Sequence, residues 1–87
     1  QHSMTGYRVR ILDDKSREII QVYKNGPAEE AGVQKGDILL KLNGKNIQEF
    51  KISEIDDLYR QEGKKIKITL ERAGEILHEE LILRKIL

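Results

Sequence analysis

Residues 25–44 read Asn-Gly-Pro-Ala-Glu-Glu-Ala-Gly-Val-Gln-Lys-Gly-Asp-Ile-Leu-Leu-Lys-Leu-Asn-Gly, and this stretch specifies more local structure than any other part of the chain. Pro27 suits the first position of a helix, because its missing N–H costs nothing there and its fixed φ is already helical. Asn25 or Gly26 is then the cap. Gly32 stands where the chain must leave the helix, a position that often takes the left-handed conformation. The first half of the stretch therefore predicts a very short helix.

The second half of the stretch predicts a turn, a strand and a second turn. Gly36 can supply a positive φ, and Asp37 can accept hydrogen bonds from neighbouring backbone amides. The next apolar residues alternate as in a half-buried strand: Ile38, Leu40 and Leu42. Asn43-Gly44 is the strongest short turn signal in the chain.

The flanking sequence predicts four more strands. Residues 7–12 and 18–23 precede the central stretch, while residues 64–71 and 76–83 follow it around an Ala73-Gly74 turn. In the first of these, Tyr7, Val9 and Ile11 alternate with Arg8, Arg10 and Leu12. In the third, the inward positions are Ile66, Ile68 and Leu70.

A second helix is predicted from Ser53 to about Gln61, with Gly63 ending it. Ser53 is the expected cap, with Asp56 three residues later as an imperfect capping box. Its apolar stripe comprises Ile52, Ile55, Leu58 and Tyr59. The predicted fold class is α+β, mainly β: a five-to-six-strand, partly open barrel flanked by two helices, in the order β β α β α β β.

Length and composition exclude several classes of function. A chain of 87 residues forms one domain, and 16 Lys and Arg nearly balance 15 Asp and Glu, so no basic surface for nucleic acid is indicated. Cysteine is absent, which excludes a disulfide scaffold and a thiolate metal site. The longest apolar runs are three residues, too short for insertion into a membrane. Residues 1–4 read as a tag remnant, so we expect residues 5–87 to be a single domain taken from a longer protein.

The sequence offers no catalytic or cofactor-binding constellation. His78 lies inside a predicted strand and is expected to face solvent, while Ser16 and Ser53 lack the context of a nucleophile elbow. Adjacent residues of a strand point to opposite faces, so His78-Glu79-Glu80 is not a metal site. The Asp-Thr/Ser-Gly loop of an aspartic protease is absent. We expect no catalytic residue, metal or cofactor in this chain, and any protease chemistry of a parent protein to lie outside it.

One resemblance carries the functional prediction. Gly26 to Gly44, in the form Gly-Pro-Ala-x-x-Ala-Gly-Val-x-x-Gly-Asp-Ile-Leu-x-x-x-Asn-Gly, resembles the core signature of PDZ domains. The form is that of bacterial proteases of the C-terminal processing, trypsin-like serine and aspartyl types, and the similarity extends from about Gly6 to the C-terminus. It implies a PDZ-like barrel and noncatalytic recognition of extended or C-terminal apolar peptide by strand addition.

The resemblance also implies which residues meet the peptide. The carboxylate-binding loop would be Gly6, Tyr7, Arg8 and Val9, with the amides of Tyr7, Arg8 and Val9 at the ligand carboxylate. The groove would be lined by Ile11, Leu12, Ile52, Asp56 and Tyr59.

Two substitutions relative to the family pattern affect this assignment. Arg8 replaces the second glycine of the loop, and either adds a cation for the carboxylate or prevents the loop from forming. Ile52 replaces a histidine that selects Ser or Thr two residues before the ligand terminus, which predicts an apolar preference at that position. Asp56 at the rim would favour a basic ligand residue.

The resemblance implies partners as well. These are peptide or protein substrate tails and the catalytic domain of a parent protease that is periplasmic or secreted. An aspartyl protease is the first expectation, because the strand from Leu77 to Leu83 followed by Arg-Lys-Ile-Leu looks like the end of such proteins; a serine peptidase is the second. The rival function is a structural docking module whose groove is filled from within the parent. An open groove favours peptide binding, and one closed by Tyr59 or Arg8 favours docking.

Overall fold

The computed structural model describes residues 4–85 and contains six strands and two α-helices. The elements run in the order β1 (Tyr7–Ile11), β2 (Arg17–Val22), α1 (Pro27–Glu30), β3 (Ile38–Leu42), β4 (Lys45–Asn46), a 3₁₀ turn (Ile47–Glu49), α2 (Ile52–Tyr59), β5 (Lys65–Arg72) and β6 (Glu75–Ile82). The predicted mainly-β fold with two helices is confirmed. The short strand β4 is the one addition to the predicted order.

All strand pairs are antiparallel, and the sheet order is β1-β2-β3-β5-β6, with β4 paired to β3. Within the described residues β1 and β6 each pair with one neighbouring strand, so the sheet does not close. The predicted partly open barrel is therefore confirmed, and β1 forms one edge of it.

The core lies between the curved sheet and the helices. Ile66, Ile68 and Leu70 are 0–1% exposed, as their alternation predicts. In β3 the buried residues are Leu39 and Leu42, so the predicted inward positions of Ile38 and Leu40 are wrong. The cause is a bulge: Leu39 pairs with Leu70 and Lys41 with Thr69, which leaves one extra residue that changes the phase of the strand.

Turn chemistry follows the sequence closely. Gly26 caps α1, and Gly32 has a φ of +87° where the chain leaves the helix. Asn43-Gly44 and Ala73-Gly74 have positive φ at both positions, as two-residue hairpin turns between twisted strands require.

Helix α2 begins one residue before the predicted cap. Lys51 is its N-cap, and the Glu54 carboxylate accepts a hydrogen bond from the Lys51 N–H at 2.7 Å. The predicted Ser53 cap with Asp56 is therefore wrong, because Glu54 satisfies the free amide two residues earlier. The helix ends at Tyr59, followed by Arg60 as its C-cap.

A buried ion pair ties β3 to the end of β5. Asp37 is 1% exposed, and its two carboxylate oxygens each accept a 2.8 Å hydrogen bond from Arg72, while the Gln34 N–H donates a third at 2.9 Å. Burial raises the pKa of Asp37, but the bonds from Arg72 and Gln34 outweigh it and leave the pKa lowered. Arg72 thereby anchors this turn.

Candidate functional site

The open edge of β1 presents backbone hydrogen-bonding groups. The Tyr23 N–H donates to the Gly6 carbonyl at 2.8 Å, and the Leu12 N–H donates to the Ser16 carbonyl at 2.9 Å. The even-numbered residues of β1 therefore bond toward β2, and the N–H and C=O of Tyr7, Val9 and Ile11 point away from it. A bulge falls on β2, so the alternation along β1 is uninterrupted.

The predicted loop turns at Gly6, which has a φ of +83°. A Cβ at this position would lie 3.1 Å from atoms of Pro27 and Ala28, so the glycine lets the loop approach α1 closely. The Thr5 hydroxyl lies 3.4 Å from both the backbone N and the backbone O of Tyr7, which is the first residue of β1. Arg8 is an exposed strand residue, and its Nη1 donates to the Gln21 side chain at 3.3 Å on the face that carries no core residues.

Two tyrosines close one end of the groove between β1 and α2. The hydroxyls of Tyr7 and Tyr59 are 2.6 Å apart, and the rings meet edge to face with centroids 6.2 Å apart. Tyr7 is only 6% exposed and Tyr59 is half-buried. Burial raises the pKa of Tyr59 to about 12 and that of Tyr7 well above its usual value, so both phenols stay protonated at neutral pH. The bridge lies beside the predicted loop.

The other end of the groove is open. Ile11 at the end of β1 is 56% exposed, and Ile52 at the start of α2 is 65% exposed. Both line one cleft of about 380 Å³. The remaining lining residues are Lys15, Arg17, Ile47, Gln48, Phe50 and Lys51.

The other residues predicted to meet the peptide do not line this cleft. Val9 is half-buried between the two ends, and Asp56 is exposed on α2. Leu12 lines a neighbouring cleft with Arg10, Ile11 and two aspartates. Ile55, a member of the predicted apolar stripe, is 8% exposed and is the buried residue of α2.

Sequence reasoning missed several contributors to the groove. It assigned Tyr7 only a backbone role, and it gave no role to the cations Lys15, Arg17 and Lys51. Nothing in a single sequence relates Tyr7 to Tyr59, which lie 52 residues apart. For Arg17 a signal existed, since the alternation of β2 places it on the same face as the buried Ile19.

The residues considered for catalysis or metal binding do not converge. His78 is exposed with its Nδ1 3.4 Å from the Thr69 hydroxyl, whereas the buried Ser16 donates to Asp14. Between residues 4 and 85 no three His, Cys, Asp or Glu side chains are grouped closely enough to hold a metal. Over the same residues no helix has the length and apolarity needed to cross a bilayer.

Comparison with known proteins identifies the family. A family model described as "PDZ domain" matches residues 18–72. The chain is 38% identical over 66 residues to the carboxy-terminal processing protease CtpA of Bacillus subtilis, covering 72% of this chain and 14% of CtpA. It is 33% identical over 57 residues to the serine protease HTRA1 of Xenopus tropicalis, covering 66% of this chain and 12% of HTRA1. The chain thus spans about an eighth of the length of these curated relatives.

A solved structure agrees on the fold. The HtrA3 PDZ domain bound to a phage-derived ligand, FGRWV, superposes with a TM-score of 0.79 at 21% identity, covering 99% of this chain and 88% of that one. The relatives include the serine protease HTRA1 and the zinc metalloprotease RasP of Shouchella clausii, so the aspartyl protease expected as the parent is not supported.

Proposed function

Because this chain belongs to the PDZ domain family, we propose that it is a noncatalytic recognition domain of a protease, which binds an extended peptide segment as an added strand on the edge of β1. The observation that carries the proposal is the row of backbone groups of Tyr7, Val9 and Ile11 that points away from β2. Strand addition uses such a row for affinity and side-chain pockets for specificity. Helix α2 supplies the opposite wall, where Ile52 is exposed.

The proposed ligand ends in a free carboxylate and carries apolar side chains. The loop of Gly6, Tyr7, Arg8 and Val9 would bind the carboxylate through those of its backbone amides that point away from β2, namely Tyr7 and Val9. Ile52 offers no hydrogen-bonding group, so the residue two positions before the terminus is expected to be apolar. A peptide with Val at that position should bind more tightly than its Ser or Thr counterpart.

The test is an NMR titration of the isotope-labelled domain with a short apolar peptide bearing a free C-terminal carboxylate, alongside its amidated twin. Shifts in the amides of β1 and α2 with the free acid alone support carboxylate capture. Equal shifts with both peptides indicate strand addition without carboxylate recognition. The absence of shifts with either peptide rules out free-peptide binding.

For the parent protein we propose a periplasmic or secreted serine protease related to the CtpA and HtrA types. The partners of the domain are then substrate tails and the catalytic domain of the parent. Similarity to the protease CtpA and the serine protease HTRA1 supports the protease part of this assignment.

A second function is favoured by one specific observation. The Tyr7–Tyr59 bridge closes the loop end of the groove, as expected if the domain is a structural docking module rather than a binder of free peptide termini. The Tyr59→Ala variant separates the two functions. If Tyr59→Ala binds the free-acid peptide more tightly than the unsubstituted domain does, Tyr59 blocks a site that can bind peptide. If its affinity is not increased, the domain is better described as a docking module.

A further inference from the structure

The open end of the groove combines an apolar floor with unpaired positive charge. We define the basic cleft as the pocket of about 380 Å³ lined by Ile11, Lys15, Arg17, Phe50, Lys51 and Ile52, together with the buried Ile47 and with Gln48 at its rim. Ile11 and Ile52 are more than half exposed on opposite walls. Two large apolar side chains held apart in this way can enclose a third from another molecule.

The charge of the basic cleft is one-sided. Three of its lining residues are cationic and none is acidic. Within residues 4–85, none of Lys15, Arg17 and Lys51 forms a salt bridge. The Arg17 Nη1 donates a hydrogen bond to the Lys15 backbone carbonyl at 2.6 Å, which leaves its charge without a carboxylate partner. Elsewhere in the same residues, Arg10, Lys65, Arg72 and Arg84 each meet a carboxylate.

None of the acidic residues that flank these cations in sequence lines the basic cleft. Glu18 pairs with Arg10, and the Glu54 carboxylate accepts a hydrogen bond from the Lys51 N–H. Asp13 and Asp14 line the separate cleft on the other side of Ile11, and Asp14 accepts hydrogen bonds from the Ser16 N–H and hydroxyl. With a net charge of only +1 over the whole chain, three cations without a carboxylate among them form a local positive field.

We propose that the basic cleft binds a bulky apolar ligand residue upstream of the ligand terminus, with an acidic residue two positions before it. This rests on the proposed strand addition to β1. A ligand antiparallel to β1 with its terminus at Gly6 places the residue opposite Ile11 roughly four positions before its end, since paired strands advance together. An apolar side chain there packs between Ile11 and Ile52. Side chains two positions apart on a strand lie on the same face, so the acidic side chain also enters the cleft and meets Lys15, Arg17 and Lys51.

The experiment compares three peptides that share one apolar C-terminal sequence and differ only in the upstream triplet, whose first and third side chains face the cleft: Glu-Ala-Phe, Lys-Ala-Phe and Glu-Ala-Ser. Calorimetric titrations are run at about 50 mM and about 500 mM salt, because screening distinguishes charge from apolar contact. We expect Glu-Ala-Phe to bind at least about tenfold more tightly than Lys-Ala-Phe at low salt, with the ratio shrinking at high salt. Glu-Ala-Ser should bind more weakly than Glu-Ala-Phe at both salt concentrations.

Charge reversal provides the matched control. The double variant Lys15→Glu/Lys51→Glu should invert the preference between Glu-Ala-Phe and Lys-Ala-Phe, whereas Lys35→Glu, at an exposed lysine outside the cleft, should leave the order unchanged. Amide spectra of each variant confirm that the fold is retained. Equal affinities of the acidic and basic peptides overturn this inference while leaving strand addition intact. Failure of all three peptides to bind overturns both.

Discussion

The hydroxyl contact between Tyr7 and Tyr59 is the residue-scale feature with the clearest energetic consequence. Tyr59→Phe leaves the buried Tyr7 hydroxyl without this partner, and an unsatisfied buried polar group costs about 1–3 kcal/mol. Tyr7→Phe/Tyr59→Phe removes both groups, so most of that loss should be recovered. Urea unfolding of the two single variants and the double variant measures the coupling. Additive losses would show that the hydroxyls do not interact.

Asp37 gives stability a defined pH dependence. Because its folded pKa is lowered, its contribution is complete above the ordinary value of 3.8 and is lost as the pH falls through the folded pKa. Asp37→Asn should lower stability on the order of 3 kcal/mol at neutral pH, since Arg72 loses its buried partner. The substitution should also make the free energy of unfolding decline less steeply below pH 4.

The control for this prediction is Glu30→Gln. Glu30 pairs with Arg84 at 2.7 Å on the surface, where an ion pair is worth about 0–1 kcal/mol. Thermal unfolding followed by circular dichroism between about pH 2 and pH 7 covers the relevant range. If Asp37→Asn lost stability below pH 4 as steeply as the unsubstituted protein, Asp37 would not be the group responsible for that loss.

Residue identity alone predicted part of the site. Gly6, Gly32 and Gly36 adopt the positive φ that their turns require. Asp37 was correctly expected to accept from a backbone amide, here that of Gln34. Its partner Arg72 was not predicted, because a contact 35 residues away depends on strand register that one sequence does not encode locally.

At the scale of the element, the two sides of β1 should respond differently to proline. The Val9 N–H points away from β2 and the Arg10 N–H points toward it, so Val9→Pro removes a donor of the open edge and Arg10→Pro removes a ladder bond. We expect Val9→Pro to stay folded but to weaken peptide binding at least about tenfold. Arg10→Pro should lower stability by about 3 kcal/mol. Binding that is unaffected in Val9→Pro would exclude strand addition at this edge.

Elements were predicted well where local patterns decide them. The two hairpin turns and the alternation of β5 followed directly from sequence, since turn chemistry and period-two burial are local. Which residues of β3 point inward was not predicted correctly, because the bulge between Leu39 and Lys41 is imposed by pairing with β5. The start of α2 shifted because a Glu at the third helical position competes with a Ser cap.

At the scale of the whole molecule, hydrogen exchange should follow the sheet order. Strands β3 and β5 are central, each paired on both sides, and contribute the fully buried Leu42, Ile66 and Leu70. Helix α2 buries only Ile55. We expect the amides of β3 and β5 to exchange slowest and those of α2 at least about tenfold faster, because local opening there exposes little apolar surface. Uniform protection would mean that the groove wall is as rigid as the core.

The contact between Tyr7 and Tyr59 also provides an optical reporter of the groove. The chain has no tryptophan and three tyrosines, so two of the three residues that dominate its emission are the phenols that meet at the closed end. A phenol bonded to another phenol differs in emission from one bonded to water. A ligand that separates the two rings therefore changes the intrinsic fluorescence of the unlabelled protein, and one that binds only in the basic cleft does not.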